Sequence, residues 1–233
     1  MKKLDLITRF PTPIWTTRLK NVVKLNQEML KFIYKLREKD RIGVQKSNML
    51  GWHSRDFDFS KSPPIVKFFN KITPLIKQVS ENLNWDNNNY QVRLSQSWAI
   101  INPKYACNQD HIHPNNFISA AYYVNFPKTM PKNSGRIVFK DPRSSHLFFQ
   151  ATVNKLSPLN ENEVTVQPAT GVLAMFPSYL YHWVEPNLSD EDRVIISFNL
   201  RQEQIRQPLY KKRDYSRSFL KKSKSEKIKK KKI

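Results

Sequence analysis

Cysteine is almost missing from this chain. Cys107 is the only one, so no intrachain disulfide can form, and a reducing interior, the cytoplasm, is the expected setting. Glycine is scarce too, with four in 233 residues, which leaves few places where the backbone turns left-handed without strain. No apolar run approaches the ~18 residues that suggest a membrane span. The N-terminus, Met1 to Phe10, is basic at first but has no continuous apolar stretch and no small-residue cleavage site, which argues against a secretory signal. Acidic residues are few: 19 Asp and Glu stand against 40 Lys and Arg, a formal net charge of +21.

That charge is unevenly placed. Residues 211–233 hold twelve basic and two acidic residues, a net +10, while the other 210 residues carry +11. A tail of Lys, Ser and Arg with few apolar residues is expected to stay solvated rather than fold onto a core. Its partner would be acidic, with nucleic acid first and an anionic membrane face second. No recognition helix or other base-reading motif accompanies it. The rest of the chain, in a protein 39% hydrophobic and 12% aromatic, suits one globular domain.

Three regions follow from the patterning. Residues 1–90 supply packing elements. Phe10 to Trp15 reads as an extended entry strand, because Pro11 and Pro13 exclude helix. Apolar residues at helical spacing predict one helix over Leu25–Arg41 and a second from Ile65 to Leu83, opened by Pro63-Pro64 and interrupted by Pro74. Residues 91–207 change texture, with short β-branched and aromatic segments near 91–101, 117–125, 135–140, 146–152, 164–167, 171–176 and 193–201. Short strands at this spacing imply an antiparallel sandwich or barrel rather than alternating βαβ units. Residues 208–233 form the basic tail.

Five histidines are present: His53, His111, His113, His146 and His182. On a strand, residues i and i+2 face the same side, so His111 and His113 can address one ion while Ile112 faces away. His182 follows a late strand, and eleven residues on comes Arg193. In a barrel, a pair from an early strand and one ligand from a late strand can meet across the mouth. By the same alternation Arg193, Ile195, Ser197 and Asn199 share one face, and Val194, Ile196, Phe198 and Leu200 the other. An arginine, a hydroxyl and an amide on a buried face need partners; an anionic ligand would provide them, since guanidinium grips carboxylate bidentately. Gly135 and Gly171 sit where strands begin, which fits tight turns. Trp98, Tyr122 and Tyr123 read as core, His53 and His146 as ordinary surface or core residues, and Cys107 as structural.

Together these residues resemble the 2-oxoglutarate/iron(II)-dependent oxygenase superfamily, and most closely a family found often in marine bacteria and their phages. The resemblance is carried by Phe10-Pro11-Thr12-Pro13-Ile14, by Ser97-Trp98-Ala99-Ile100-Ile101-Asn102 and by Gln109-Asp110-His111-Ile112-His113-Pro114. It continues through Ile118 to Val124, Ser134 to Arg143, Pro168 to His182 and Arg193 to Asn199. It implies a double-stranded β-helix, the jelly roll also seen in cupins. It further implies a cytoplasmic dioxygenase (host cytoplasm where a phage encodes it) with His111, His113 and His182 on iron(II). Arg193 would hold the far carboxylate of 2-oxoglutarate, with Ser197 a second candidate on that face. The activity implied is oxidative decarboxylation of 2-oxoglutarate to succinate coupled to hydroxylation of an unknown substrate, a small molecule or a protein side chain, with ascorbate as an accessory reductant.

The sequence departs from the superfamily's usual two histidines and one carboxylate. His113 stands where Asp or Glu is expected, and Ala120 where glycine usually follows Ser119. Three neutral imidazoles leave the metal site one charge more positive, which still suits a dianion but admits zinc, nickel or copper more readily. Asp110 is not expected to supply the missing carboxylate, because neighbouring strand residues point apart. Two other readings stay open at this point: a non-catalytic cupin-like metal-binding or structural module with a nucleic-acid-binding tail, and a zinc or nickel hydrolase. The hydrolase gives Arg193 no task.

Overall fold

The structure, a computed structural model, describes residues 4–143 and 151–205. His146 and residues 206–233, which include the basic tail, therefore lie outside the described residues.

Among the described residues, eleven strands form two antiparallel sheets. The first contains β1 (Trp15–Arg18), β3 (Trp52–His53), β4 (Tyr90–Asn102), β6 (Ile118–Asn125), β9 (Val172–Pro177) and β11 (Arg193–Gln204), in the order β1-β9-β6-β11-β4-β3. The second contains β2 (Asn48–Met49), β5 (Cys107–His111), β7 (Ile137–Lys140), β8 (Glu163–Val166) and β10 (His182–Val184), in the order β2-β5-β10-β7-β8. Neighbours in space are distant in sequence, as β9 beside β6 and β6 beside β11 illustrate, which is the crossed-over connectivity of a jelly roll. The helices α1 (Val23–Lys39) and α2 (Pro63–Asn82) pack against this framework.

Side-chain alternation divides the core in two. Residues Val194, Ile196, Phe198 and Leu200 of β11 pack with Ala99, Ile101 and Tyr122 beneath Met29 and Ile33 of α1 and Ile65, Phe68 and Ile72 of α2. Ile195 of β11 points the other way, joining Trp98, Ile100, Tyr123, Phe139, Phe176 and Val184 between the sheets. The helices thus cover the outer face of the six-stranded sheet, and the inner face is left to line a cavity. Phe68 is at the centre of the outer core, its ring 4.6 Å from Tyr122 and 6.5 Å from Phe198. Asn26, buried in α1, donates to Val124 O at 3.1 Å and accepts from the Tyr122 hydroxyl at 2.8 Å, fixing that helix to β6.

Several boundaries differ from expectation. The entry strand begins at Trp15, not Phe10, pairing with Met175 on β9; Pro11 and Pro13 carry no N–H to complete a ladder, so pairing starts only beyond them. The strand expected over His146–Thr152 is absent at its described end, where Ala151 and Thr152 are irregular, and its first part lies outside the described residues. The short strands β2, β3, β5 and β10 were not separated by the sequence pattern, since two to five residues are too few for alternation to register. Pro63 and Pro64 occupy the first turn of α2, where the missing N–H costs nothing.

Phe68→Ala should lower stability by about 3–5 kcal/mol, the usual cost of emptying a buried aromatic site. Urea unfolding should show a reduced midpoint at unchanged slope; a loss below about 1 kcal/mol would mean this core collapses around the gap.

Candidate active site

Three imidazoles meet at one end of the cavity between the sheets. His111 ends β5 and His182 opens β10, and the two are direct cross-strand partners, with ring centroids 4.3 Å apart. His113 lies two residues beyond His111, past the end of β5 and just ahead of the turn at Pro114 and Asn115, and the two rings converge as the His-x-His spacing allows. That turn is held by His113 N donating to Ser178 O at 2.9 Å and Ser178 N donating to Phe117 O at 3.0 Å. Asn115 takes the left-handed conformation there, φ 64°, which asparagine tolerates better than most residues. One ring nitrogen from each of His111, His113 and His182 lies within 4.8 Å of the others, an arrangement that could hold a metal ion.

Backbone carbonyls orient two of the rings. His111 Nδ1 lies 2.6 Å from Gln109 O and His182 Nδ1 lies 2.9 Å from Leu180 O. A carbonyl only accepts, so each Nδ1 carries the proton and each Nε2 keeps a lone pair for an ion. Phe176 packs on the His182 ring at 4.7 Å, with Phe139 at 5.9 Å. Burial disfavours the charged form of all three. It is the main cause that lowers His113 to about 3, with the charges of His111 and His53 adding to it. His182 is pushed well below the ordinary histidine value by burial and then by His111. His111 is lowered by burial against an opposing hydrogen bond to Gln109. Neutral imidazoles are the metal-binding form, so no proton need be displaced near neutrality. Asp110 is engaged elsewhere, 2.6 Å from Lys140 Nζ.

Arg193 lies on the inner face of β11, with no exposed surface. Its Nε donates to Gly135 O at 2.9 Å, and its guanidinium carbon sits 5.0 Å from the Tyr123 ring centroid. Neither terminal nitrogen has a hydrogen-bond partner among the described residues, and neither does the buried Tyr123 hydroxyl. Gly135 is required at this position: its φ is 63°, and a Cβ would come within 2.8 Å of Met130 Cε and 3.4 Å of Arg193 Cδ. The next residue, Arg136, donates through Nε to Glu185 Oε2 at 2.8 Å, and its carbonyl accepts from Glu185 N at 3.0 Å. That pairing steadies the backbone whose preceding carbonyl holds Arg193. An arginine cannot shed its charge, and burying one with both terminal NH2 groups unpaired is costly, so an anion belongs in front of it.

The imidazoles and Arg193 line one cavity of about 730 Å³. Ile195, Ser197 and Asn199 line it with Arg193, as do Trp98 and Ile100 from β4. Asn199 is tied up with Ser119, whose hydroxyl reaches Asn199 Oδ1 at 2.8 Å. His53, which the sequence left as ordinary, lines this cavity, as does Trp98, expected as core. His53 stacks on Trp98 at 5.3 Å and 11°, and Trp98 in turn faces His113 at 5.8 Å. Tyr123, expected as core, stands beside the guanidinium. Strand alternation separates Tyr123 from Tyr122, and that signal was available; nothing in the spacing of His53 marks it. Tyr122 is core, as expected, and Cys107 is a half-buried free thiol.

A jelly roll with a histidine cluster that could hold a metal ion and a buried arginine facing the same cavity has room for an ion and an anion together. Residues 96–199 match the family model described as "Putative 2OG-Fe(II) oxygenase". This segment carries all three clustered histidines and Arg193, so the likeness to that family falls on the site itself. By sequence, no curated protein matches the chain. Among solved structures, a Pseudomonas putida prolyl-4-hydroxylase superposes with a TM-score of 0.60 at 12% identity, covering 82% of this chain and 94% of that one. The carbocyclase SnoK from nogalamycin biosynthesis, described as non-heme and α-ketoglutarate-dependent, gives 0.58 at 14%, covering 88% and 86%. HygX from Streptomyces hygroscopicus, solved with nickel, 2-oxoglutarate and hygromycin B, gives 0.54 at 12%, covering 82% and 83%. At such identities the likeness is one of fold, the double-stranded β-helix.

The depressed histidine values fix the sign of a pH effect. Below the unfolded-state value of about 6.5 the unfolded chain takes up protons that the folded, metal-free protein refuses, so stability falls with pH. Between pH 6.5 and 5 the loss should reach up to about 1.4 kcal/mol per pH unit for His113, and His111 and His182 add to it in the same direction. Urea midpoints measured across that range should decline for the metal-free protein and decline less steeply for His113→Asn; equal slopes would contradict the buried neutral state of His113.

Proposed function

We propose that the protein is an iron(II)- and 2-oxoglutarate-dependent dioxygenase that hydroxylates a substrate. In this reading His111, His113 and His182 hold the metal. Arg193 pairs with the far carboxylate of 2-oxoglutarate, the Tyr123 hydroxyl donates to the same group, and Ser197 lines the path between. The observation that carries it is the pair of unpartnered Arg193 nitrogens, fully buried in a cavity that also holds three convergent imidazoles. The donor set fits the metal: neutral nitrogen ligands suit a divalent first-row ion, and three of them leave positions open. The positive Arg193 fits the dianionic co-substrate. Iron(II), when bound, supplies the oxygen chemistry that turns 2-oxoglutarate into succinate and carbon dioxide.

The chain's own residues have three tasks. The carbonyls of Gln109 and Leu180 hold two imidazoles in the ligating tautomer. Gly135 and the Arg136–Glu185 pair aim the guanidinium. The wall of Phe176, Phe139 and Trp98 keeps bulk water from the inner cavity, where electrostatic attraction is stronger than in solvent. The neighbours' substrates do not select one for this chain.

Succinate release with iron(II), ascorbate and 2-oxoglutarate tests the reading. His182→Ala should abolish it together with nickel binding; release equal to the unaltered protein would remove His182 from the metal. Arg193→Met gives a sharper contrast. It removes a buried, unpaired charge, so the ligand-free protein should melt no lower than the parent, while the stabilisation conferred by 2-oxoglutarate on the nickel-loaded protein should vanish. Retention of that stabilisation would remove Arg193 from the co-substrate.

Two finer points belong to the same proposal. Among the described residues no helix is long and apolar enough to cross a membrane, and with a lone thiol and an oxidation-sensitive metal a cytoplasmic setting fits best. The Lys-rich segment 211–233 is assigned to non-specific nucleic-acid contact. Its deletion should weaken binding to duplex DNA at low salt and flatten the dependence of affinity on salt; an unchanged salt slope would retire the assignment.

A further inference from the structure

A chain of buried amides ends beside the histidine cluster. Asn187 Nδ2 donates to Asn102 O at 2.9 Å, Asn102 Nδ2 donates to Asn108 Oδ1 at 3.0 Å, and Asn108 Nδ2 donates to Ser47 Oγ at 3.3 Å. The three asparagines are all but inaccessible. Ser47, half-buried, is pinned at its backbone, where its carbonyl accepts from Gln109 N at 2.8 Å. Its hydroxyl oxygen lies 3.5 Å from His111 Nε2.

The direction of these bonds fixes where the hydroxyl proton goes. Ser47 Oγ already accepts from Asn108, so its proton is free to donate. His111 Nδ1 is committed as donor to Gln109 O, so Nε2 is an acceptor and takes the Ser47 proton in the metal-free protein. Nε2 is also the nitrogen left for the metal. An ion on that nitrogen would lie beside the hydroxyl, which Asn108 and Gln109 hold at the edge of the histidine cluster. An anionic oxygen bound to the same ion would then be within reach of its proton.

We infer that Ser47, aimed by Asn108 and Asn102, donates a hydrogen bond to the metal-bound carboxylate of 2-oxoglutarate and so positions the co-substrate. This rests on the functional reading above and adds a residue to it from a loop outside the 96–199 segment. Such a bond from a neutral donor to a charged acceptor is stronger than an ordinary one, and Ser47 gives the site a polar contact to an oxygen ligand that three imidazoles, as nitrogen ligands, do not offer.

The test compares the full chain with Ser47→Ala and Ser47→Thr, each loaded with nickel and titrated calorimetrically with 2-oxoglutarate. Cobalt absorption spectra provide a second readout. Ser47→Ala should bind nickel as the parent does but 2-oxoglutarate about tenfold more weakly, with an altered cobalt spectrum only after 2-oxoglutarate is added. Ser47→Thr should restore both. If Ser47→Ala binds 2-oxoglutarate as tightly as the parent, or loses nickel in the same proportion, the inference fails, because the hydroxyl then serves His111 or the fold. A parent protein that takes nickel but no 2-oxoglutarate would instead overturn the functional reading, and this inference with it.

Discussion

The constraint on which the site depends is a guanidinium buried without a counter-charge. Arg193 has no accessible surface, spends one nitrogen on Gly135 O and leaves two without a partner among the described residues. A fold seeking only stability would put an aliphatic residue there, since its neighbours on the inner face, Ile195 and Ile100, are aliphatic. Keeping the charge leaves the empty protein electrostatically incomplete, and an anion of matching geometry completes it. The surrounding features follow from that need. Gly135 adopts a conformation that leaves room for the arginine stem, and the Arg136–Glu185 pair stops the supporting backbone from drifting.

The second constraint is charge at the opposite end. Three neutral imidazoles would bring no compensation to a divalent ion, so an ion held there and Arg193 would together present three positive charges to one cavity. A dicarboxylate reaching between them neutralises most of that charge, more completely than where one metal ligand is itself a carboxylate. Departure from the usual triad and retention of a buried arginine are therefore consistent with one another. Both favour a dianion over a neutral ligand.

Much of the fold and site was legible in the residues alone. The inner and outer faces of β11 followed from alternation, because twelve residues give that pattern room to register. The histidine cluster followed from spacing and from family resemblance. The bond from His113 N to Ser178 O that holds the end of this segment was not legible, because long-range backbone bonds of that kind leave no local trace. His53 and Ser47 were illegible for a related reason. They come from a region of two-residue strands whose position depends on pairing with β4 and β5, far along the chain. Tyr123 is core, as expected, and the arginine packed against its ring is what the spacing did not announce.

The measurement closest to the central claim is a comparison of two 2-oxo acids on the iron(II)-loaded protein without oxygen, followed by the visible absorption that accompanies chelation. 2-Oxoglutarate and 2-oxobutyrate offer the metal the same chelating group, but only 2-oxoglutarate has a second carboxylate. If Arg193 is the group awaiting that carboxylate, 2-oxoglutarate should bind at least about tenfold more tightly, the worth of a charge-assisted pair. Equal affinities would mean that the buried guanidinium does not meet the co-substrate, and would contradict the pairing around which the cavity is organised.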